Sequence, residues 1–281
     1  MTGVILTAVI ILTVIQLYRS KHSLSVSYYT VSLDHPAETV RIVQLTDLHN
    51  SGFGEKSSRL IGLVREQAPD LILLTGDLLN EDQESTKTAE NLIRGLSEIA
   101  PVYASLGNHE IGYEQKYGTD LRALYADAGA RVLDFEWTDT EVKNLPVRLG
   151  GLYGYCLPAK YLKTGEAREN ETAFLREFQN TDRTTILMCH MPVCWIVNDS
   201  LDEWDIDLVF SGHAHGGQII IPYIGGLWAP DQGWLPGREW GVYPSKDEKK
   251  HLILSRGLGS NEIIPRFNNI PEITVVDLIG Q

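Results

Sequence analysis

Residues 73–80 read LLTGDLLN, an apolar run that stops at Gly76-Asp77, so an ionised carboxylate directly follows a stretch with the character of a buried strand. Burying that charge alone is costly, so Asp77 needs water or a cation beside it. The surrounding sequence cycles in the same way. VRIVQLTD (40–47), LILLTGD (71–77) and VYASLGNHE (102–110) read as strands, while residues 57–70, 85–100 and 118–130 read as helices, the first ending at Pro69. Near-continuous apolar strands alternating with helices predict an α/β sheet covered on its faces. The second half is richer in short strands, at 147–155, 184–192, 206–215, 251–260 and 272–280, with one strong helical pattern at 167–180. A layered α/β body with mixed sheets follows, with residues 23–33 as an edge strand.

The chain has 281 residues, 43% of them hydrophobic, enough for a substantial core. Its 37 acidic against 24 basic residues leave a net charge of -13, which opposes the basic surface that nonspecific nucleic-acid binding needs. Cys156, Cys189 and Cys194 form no regular framework and are expected to be reduced and mostly buried. Residues 3–18, GVILTAVIILTVIQLY, are apolar throughout. No basic segment precedes them and no convincing cleavage site follows, so they read as an uncleaved single-pass anchor. Arg19 and Lys21 after the run place the remaining chain on the cytoplasmic side. The expected division is a membrane anchor over 1–22 and a catalytic domain over 23–281.

The apolar runs end on metal-type donors: Asp47 and His49 in LTDLH, Asp77 in LTGD, Asn108 in LGNHE, His190 in MCHMP, and His213 and His215 in FSGHAH. Carboxyl ends of strands line the ligand crevice of α/β sheets, so these loops can converge although they are far apart in sequence. Carboxylates, an amide and imidazoles in that number exceed the needs of one tetrahedral ion and suit two divalent ions with a shared carboxylate. Nitrogen and oxygen donors without thiolate favour manganese, iron or zinc.

The series D-x-H, G-D, G-N-H-E, H and G-H-x-H resembles the calcineurin-like metallophosphoesterase superfamily, and with the N-terminal anchor its bacterial membrane-associated branch, related to UDP-2,3-diacylglucosamine pyrophosphohydrolases and cell-envelope phosphodiesterases. That resemblance implies a four-layered α/β/β/α sandwich. It also implies that Asp47, His49 and His215 hold one metal and that Asn108, His190 and His213 hold the other, bridged by Asp77. His109 would stabilise the phosphoryl oxygens or protonate the leaving group. The implied reaction is hydrolysis of a phosphodiester or pyrophosphate bond by a hydroxide held between two ions, on a phosphorylated small-molecule or lipid-linked, UDP-sugar-type substrate. The competing readings are a catalytically silent metal-binding envelope protein and a nuclease; His109 argues against the first, the acidic balance and the anchor against the second.

Other residues receive weaker expectations. Glu110 could partner an imidazole, and His213 and His215, two apart, would share a face in an extended segment. Residues 221–244 form a long Gly/Pro/Trp-rich stretch directly after the histidines. Trp228, Trp234 and Trp240 could wall a lipid-linked substrate there, with Arg238 available to a phosphate. Asp70, Asp205 and Asp207 read as turn or strand-entry residues, and His22, His35 and His251 carry no assigned role.

Overall fold

The structure, a computed structural model, describes residues 2–33, 38–260 and 264–280; His35 lies outside them. The chain builds two six-stranded sheets. In chain order their strands are β1 (Ser25–Leu33), β2 (Val40–Leu45), β3 (Leu71–Thr75), β4 (Val102–Ser105), β5 (Ala130–Val132), β6 (Glu136–Val142), β7 (Leu145–Leu152), β8 (Thr184–Cys189), β9 (Leu208–Ser211), β10 (Gly241–Pro244), β11 (His251–Leu254) and β12 (Glu272–Gly280). The first sheet runs β1-β12-β2-β3-β4-β5 and the second β10-β11-β9-β8-β7-β6. Both are mixed. β2 to β5 are mutually parallel, β12 is antiparallel to β2, and β1 closes the edge parallel to β12. In the second sheet β7, β8, β9 and β11 are parallel, while β6 and β10 are antiparallel edges.

The apolar continuity of the central strands has a direct cause: they are buried on both faces. Ile42, Leu71 and Leu73 point inward to meet Leu149, Ile186, Met188 and Phe210 of the other sheet. The alternate residues Val43, Leu45, Ile72 and Leu74 point outward onto Leu60, Val64, Leu92 and Ile93 of the covering helices Ser58–Glu66 and Lys87–Ser97. Leu187, Cys189 and Val209 pack outward against Leu175, Phe178 and Trp195. The result is the α/β/β/α sandwich. All three cysteines are buried and free, on this last face.

Several elements differ from the sequence expectation. β6 pairs with β7 as an antiparallel edge strand whose half-exposed, charged residues gave no apolar run to read. The helical pattern at 167–180 yields a short turn at Glu169–Glu171 and a helix only over Ala173–Phe178. The strand expected over 102–110 stops at Ser105, and Asn108 and His109 open a helix, Asn108–Tyr117.

The first helix, Thr2–His22, is long and apolar enough to cross a membrane, and most of its large side chains are exposed. Its end is docked on the body: Ser20 is fully buried, and its Oγ accepts the backbone N–H of Asn269 at 3.2 Å.

Candidate active site

The loops after β2, β3 and β4 in one sheet and after β8 and β9 in the other meet at the same edge of the sandwich. The two sheets are tied there by polar contacts. Gln44 donates to the carbonyl of Ser211 and to Thr75 Oγ1, both at 2.8 Å, and His190 Nδ1 lies 2.7 Å from the carbonyl of Thr75. The loops are zipped to one another by backbone bonds from Asp47 to Gly76, His49 to Asp77 and Asn50 to Leu78. Asp47, His49, Asp77, His213 and His215 all adopt left-handed backbone angles, with φ of 51°, 47°, 54°, 66° and 49°. Such conformations cost energy in non-glycine residues and persist where the surroundings fix them, as these cross-bonds do. His213 and His215 therefore sit on a tight turn, in contrast to the extended segment expected for them.

Close approach also explains the glycines. Gly76 has φ of 88°, and a Cβ there would lie 2.7 Å from His190 Nδ1; a Cβ on Gly107 would fall on the Asp77 carboxylate. G-D and G-N-H-E are thus two sides of one contact.

The donors converge on Asp77. Its Oδ2 is 3.1 Å from His190 Nε2, 3.8 Å from His49 Nε2 and 4.0 Å from His109 Nε2. Asp47 Oδ1 lies 3.8 Å from His215 Nε2 and 4.0 Å from His49 Nε2. Asp47, His49 and His215 form one group able to hold an ion, and Asp77, His190 and His213 another. The buried Asp77 Oδ2 and His190 Nε2 meet as an ion pair at 3.1 Å, and His49 Nε2 and Asn108 Oδ1 are buried without a hydrogen-bond partner. Buried polar atoms are rarely left so, and this set of nitrogen and oxygen donors fits divalent cations. The opposite ring atoms are engaged: His49 Nδ1 is 2.8 Å from Asn80 Oδ1, which, like the Thr75 carbonyl on His190, fixes the tautomer that presents Nε2 inward. Although burial opposes the charge, Asp77 and Asp47 push the metal-free His190 up to about 10. Burial holds His49 and His215 low.

Glu110 does not touch an imidazole, contrary to the sequence expectation. It is fully buried, and its carboxylate accepts the backbone N–H groups of Asp77, Leu78, Leu79 and Gly107 at 2.7, 2.7, 3.1 and 2.8 Å, with the Tyr125 hydroxyl at 3.0 Å. It fixes the Asp77 turn to the G-N-H-E turn. His109 stands at the rim, its side chain 18% exposed, with its backbone N–H donating to Asp77 Oδ1 at 2.9 Å.

Sequence reading missed Asp231. The short hairpin pairing Trp228–Ala229 with Gly233–Trp234 carries Asp231 at its tip, where Oδ2 lies 2.9 Å from His213 Nε2. That contact leaves His213 Nδ1 as the free donor, and Tyr155 hydrogen-bonds the same carboxylate. Only its place in a Gly/Pro/Trp-rich loop after the histidines could have signalled it. Asp231→Asn is expected to weaken metal binding roughly 10- to 100-fold with little change in melting temperature. Metal titration of the stripped protein checks this; unchanged affinity would remove Asp231 from the site. Trp234 is exposed on the same hairpin, whereas the Arg238 guanidinium stacks over Tyr243 with 5.5 Å to the ring centroid.

Two mixed sheets whose parallel central strands deliver converging histidines and carboxylates to one edge define the class as a metal-dependent hydrolase of phosphoesters. The chain belongs to the calcineurin-like phosphoesterase family, whose model matches residues 40–217. It is 32% identical over 253 residues to the phosphodiesterase YaeI of Escherichia coli, covering 86% of this chain and 83% of the relative. An uncharacterized metallophosphoesterase of Bacillus subtilis, YkoQ, is 27% identical, with 98% of both chains covered. The UDP-2,3-diacylglucosamine pyrophosphatase LpxG of Chlamydia muridarum is 24% identical over 84% of this chain and 83% of its own. Among solved structures, the sulfate thiohydrolase SoxB of Thermus thermophilus superposes with a TM-score of 0.50 at 12% identity, covering 86% of this chain and 57% of that one, a likeness of fold alone.

Proposed function

We propose that this protein is a membrane-anchored, binuclear phosphoesterase that cleaves a phosphodiester or pyrophosphate bond in a lipid-linked or UDP-sugar-type substrate. The observation that carries the reading is the set of orphaned buried donors around Asp77. Asp47, His49 and His215 would hold one ion and Asn108, His190 and His213 the other, with Asp77 shared. Ions bound there would supply an acidified water and offset charge on the phosphoryl group. The protein's own residues do the rest. Asp77 and Asp47 hold the donors in register, and Glu110 keeps the Asp77 turn in place. His109, at the rim, is placed to donate a hydrogen bond to a phosphoryl oxygen or a proton to the leaving oxygen. Residues 1–22 anchor the chain, with Arg19 and Lys21 favouring a cytoplasmic catalytic domain. The relatedness to LpxG, itself a UDP-2,3-diacylglucosamine pyrophosphatase, supports a lipid-linked substrate.

The test is hydrolysis of bis-p-nitrophenyl phosphate by the metal-stripped, detergent-solubilised full chain, with manganese, iron, zinc and magnesium returned separately. Turnover is expected with one of the first three and none without metal. Two ions bound tightly with no turnover of this or any lipid-linked diester would leave a silent metal-binding protein. The exposed Trp234 fits a wall for the lipid part of the substrate, while Arg238 would have to leave the Tyr243 ring to meet a phosphate. Trp234→Ala should therefore lower turnover of a lipid-linked diester about tenfold and spare the nitrophenyl ester; equal losses on both would end the wall assignment.

A further inference from the structure

A cavity of about 300 Å³ lies where the end of the first helix meets the body, lined by Leu17 and Lys21 of the helix and by Ser51, Leu258, Pro265 and Arg266. Its chemistry is divided: an apolar side from Leu17, Leu258 and Pro265, and two cationic groups, in a chain whose net charge is -13. Arg266 is the informative one. It is only 6% exposed and donates to the carbonyls of Gly259 and Arg256 and to Asn269 Oδ1, but no carboxylate pairs with it among the described residues. Its neighbour Arg256 does have such a partner, Glu272 at 3.1 Å. A buried guanidinium whose opposite charges, Asp47 and Glu272, act only from beyond ion-pair distance is costly, and cations on the far side of the adjacent His215 would raise that cost. Lys21 points to the same place. It makes no ion pair among the described residues, and it follows the apolar run, where the proposed anchor would bring it to the depth of the lipid headgroups.

We infer that this cavity binds the phosphate of an anionic membrane phospholipid, with Lys21 and Arg266 as its cationic partners and the acyl chains lying along the exposed helix. The inference rests on the reading that residues 1–22 remain as a membrane anchor, and it adds a second ligand beside the substrate. The site is wired to the catalytic edge. Arg266 Nη2 is 3.4 Å from His215 Nδ1, and Asn269, whose backbone N–H meets Ser20 Oγ, donates its side-chain amide to the carbonyls of His215 at 2.7 Å and Gln218 at 3.1 Å. A lipid that fixes the end of the helix therefore also fixes the loop carrying His215.

The test is native mass spectrometry of the full chain from neutral detergent, titrated with phosphatidylglycerol or phosphatidylcholine. Because it reads binding and not turnover, it stands apart from the phosphoesterase assay. One phosphatidylglycerol is expected to be retained in preference to phosphatidylcholine, with apparent affinity about tenfold lower in Lys21→Glu and unchanged in Lys246→Glu, a distant exposed charge. Leu17→Trp, which fills the cavity without changing charge, should also displace the lipid. Equal retention of the two lipids, or wild-type affinity in Lys21→Glu, would overturn the site. Displacement of the lipid by millimolar glycerol phosphate would overturn the lipid assignment in favour of a soluble anion.

Discussion

Asp77→Asn is expected to reduce hydrolysis of bis-p-nitrophenyl phosphate by about a thousandfold or more, while the protein stays folded. Asp77 Oδ2 faces His190 Nε2 at 3.1 Å and His49 Nε2 at 3.8 Å, one donor from each of the two proposed ion positions. On the proposed binuclear reading, removing its charge would weaken both positions at once. The asparagine keeps the side-chain volume and can still accept the His109 backbone N–H that Oδ1 accepts at 2.9 Å, so the turn has reason to survive. Alanine would lose both, which makes asparagine the cleaner variant. Retention of more than a tenth of wild-type activity, with circular dichroism unchanged, would sink the shared-carboxylate role.

Asp77 and His190, 3.1 Å apart, give the metal-free protein a defined pH response. The folded protein holds His190 up to about 10, so the stability it contributes is fully present below the ordinary histidine range and is lost as pH rises through that value. Asp77 is held below the usual carboxylate range: burial opposes this, but His190 and His49 prevail, so its contribution is lost on acidification. An arriving cation must displace the His190 proton, so metal affinity rises with pH, with protons released on loading.

Glu110→Gln is the second large effect, and it falls on stability. Oε1 of Glu110 accepts from Leu78, Leu79 and the Tyr125 hydroxyl, and Oε2 from Asp77 and Gly107. In either orientation of the amide, an NH2 group faces at least two backbone donors that then have no acceptor. Each orphaned buried donor costs about 1–3 kcal/mol, so a loss of about 3 kcal/mol is expected. For a chain of this size that is a fall in melting temperature of roughly 6–12 °C. Thermal unfolding followed by circular dichroism reads it directly. A shift under about 2 °C would mean that the amides of residues 77–79 find other acceptors and that Glu110 does not hold the turn.

The sequence alone was enough to nominate the candidate donors and their order, and the structure brings them to one edge. A strand buried on both faces must be apolar throughout, so a charge placed directly after LILLT or VRIVQL marks the strand end and invites a ligand there. Asp47, His49, Asp77, Asn108, His190, His213 and His215 were legible as candidates for that reason, and His109 through the family resemblance alone. The edge strand β6 was not, because half-exposed charged residues carry no such pattern. Only the tertiary structure decided what supports the donors. Glu110 acts on amides 31 to 33 residues away, Asp231 reaches His213 across 18, and Asn269 links Ser20 to His215 across 249 and 54. These contacts form where segments distant in the chain are packed together. No local periodicity encodes them, since a backbone amide or a loop carboxylate looks the same in sequence whether or not a distant partner is brought to it.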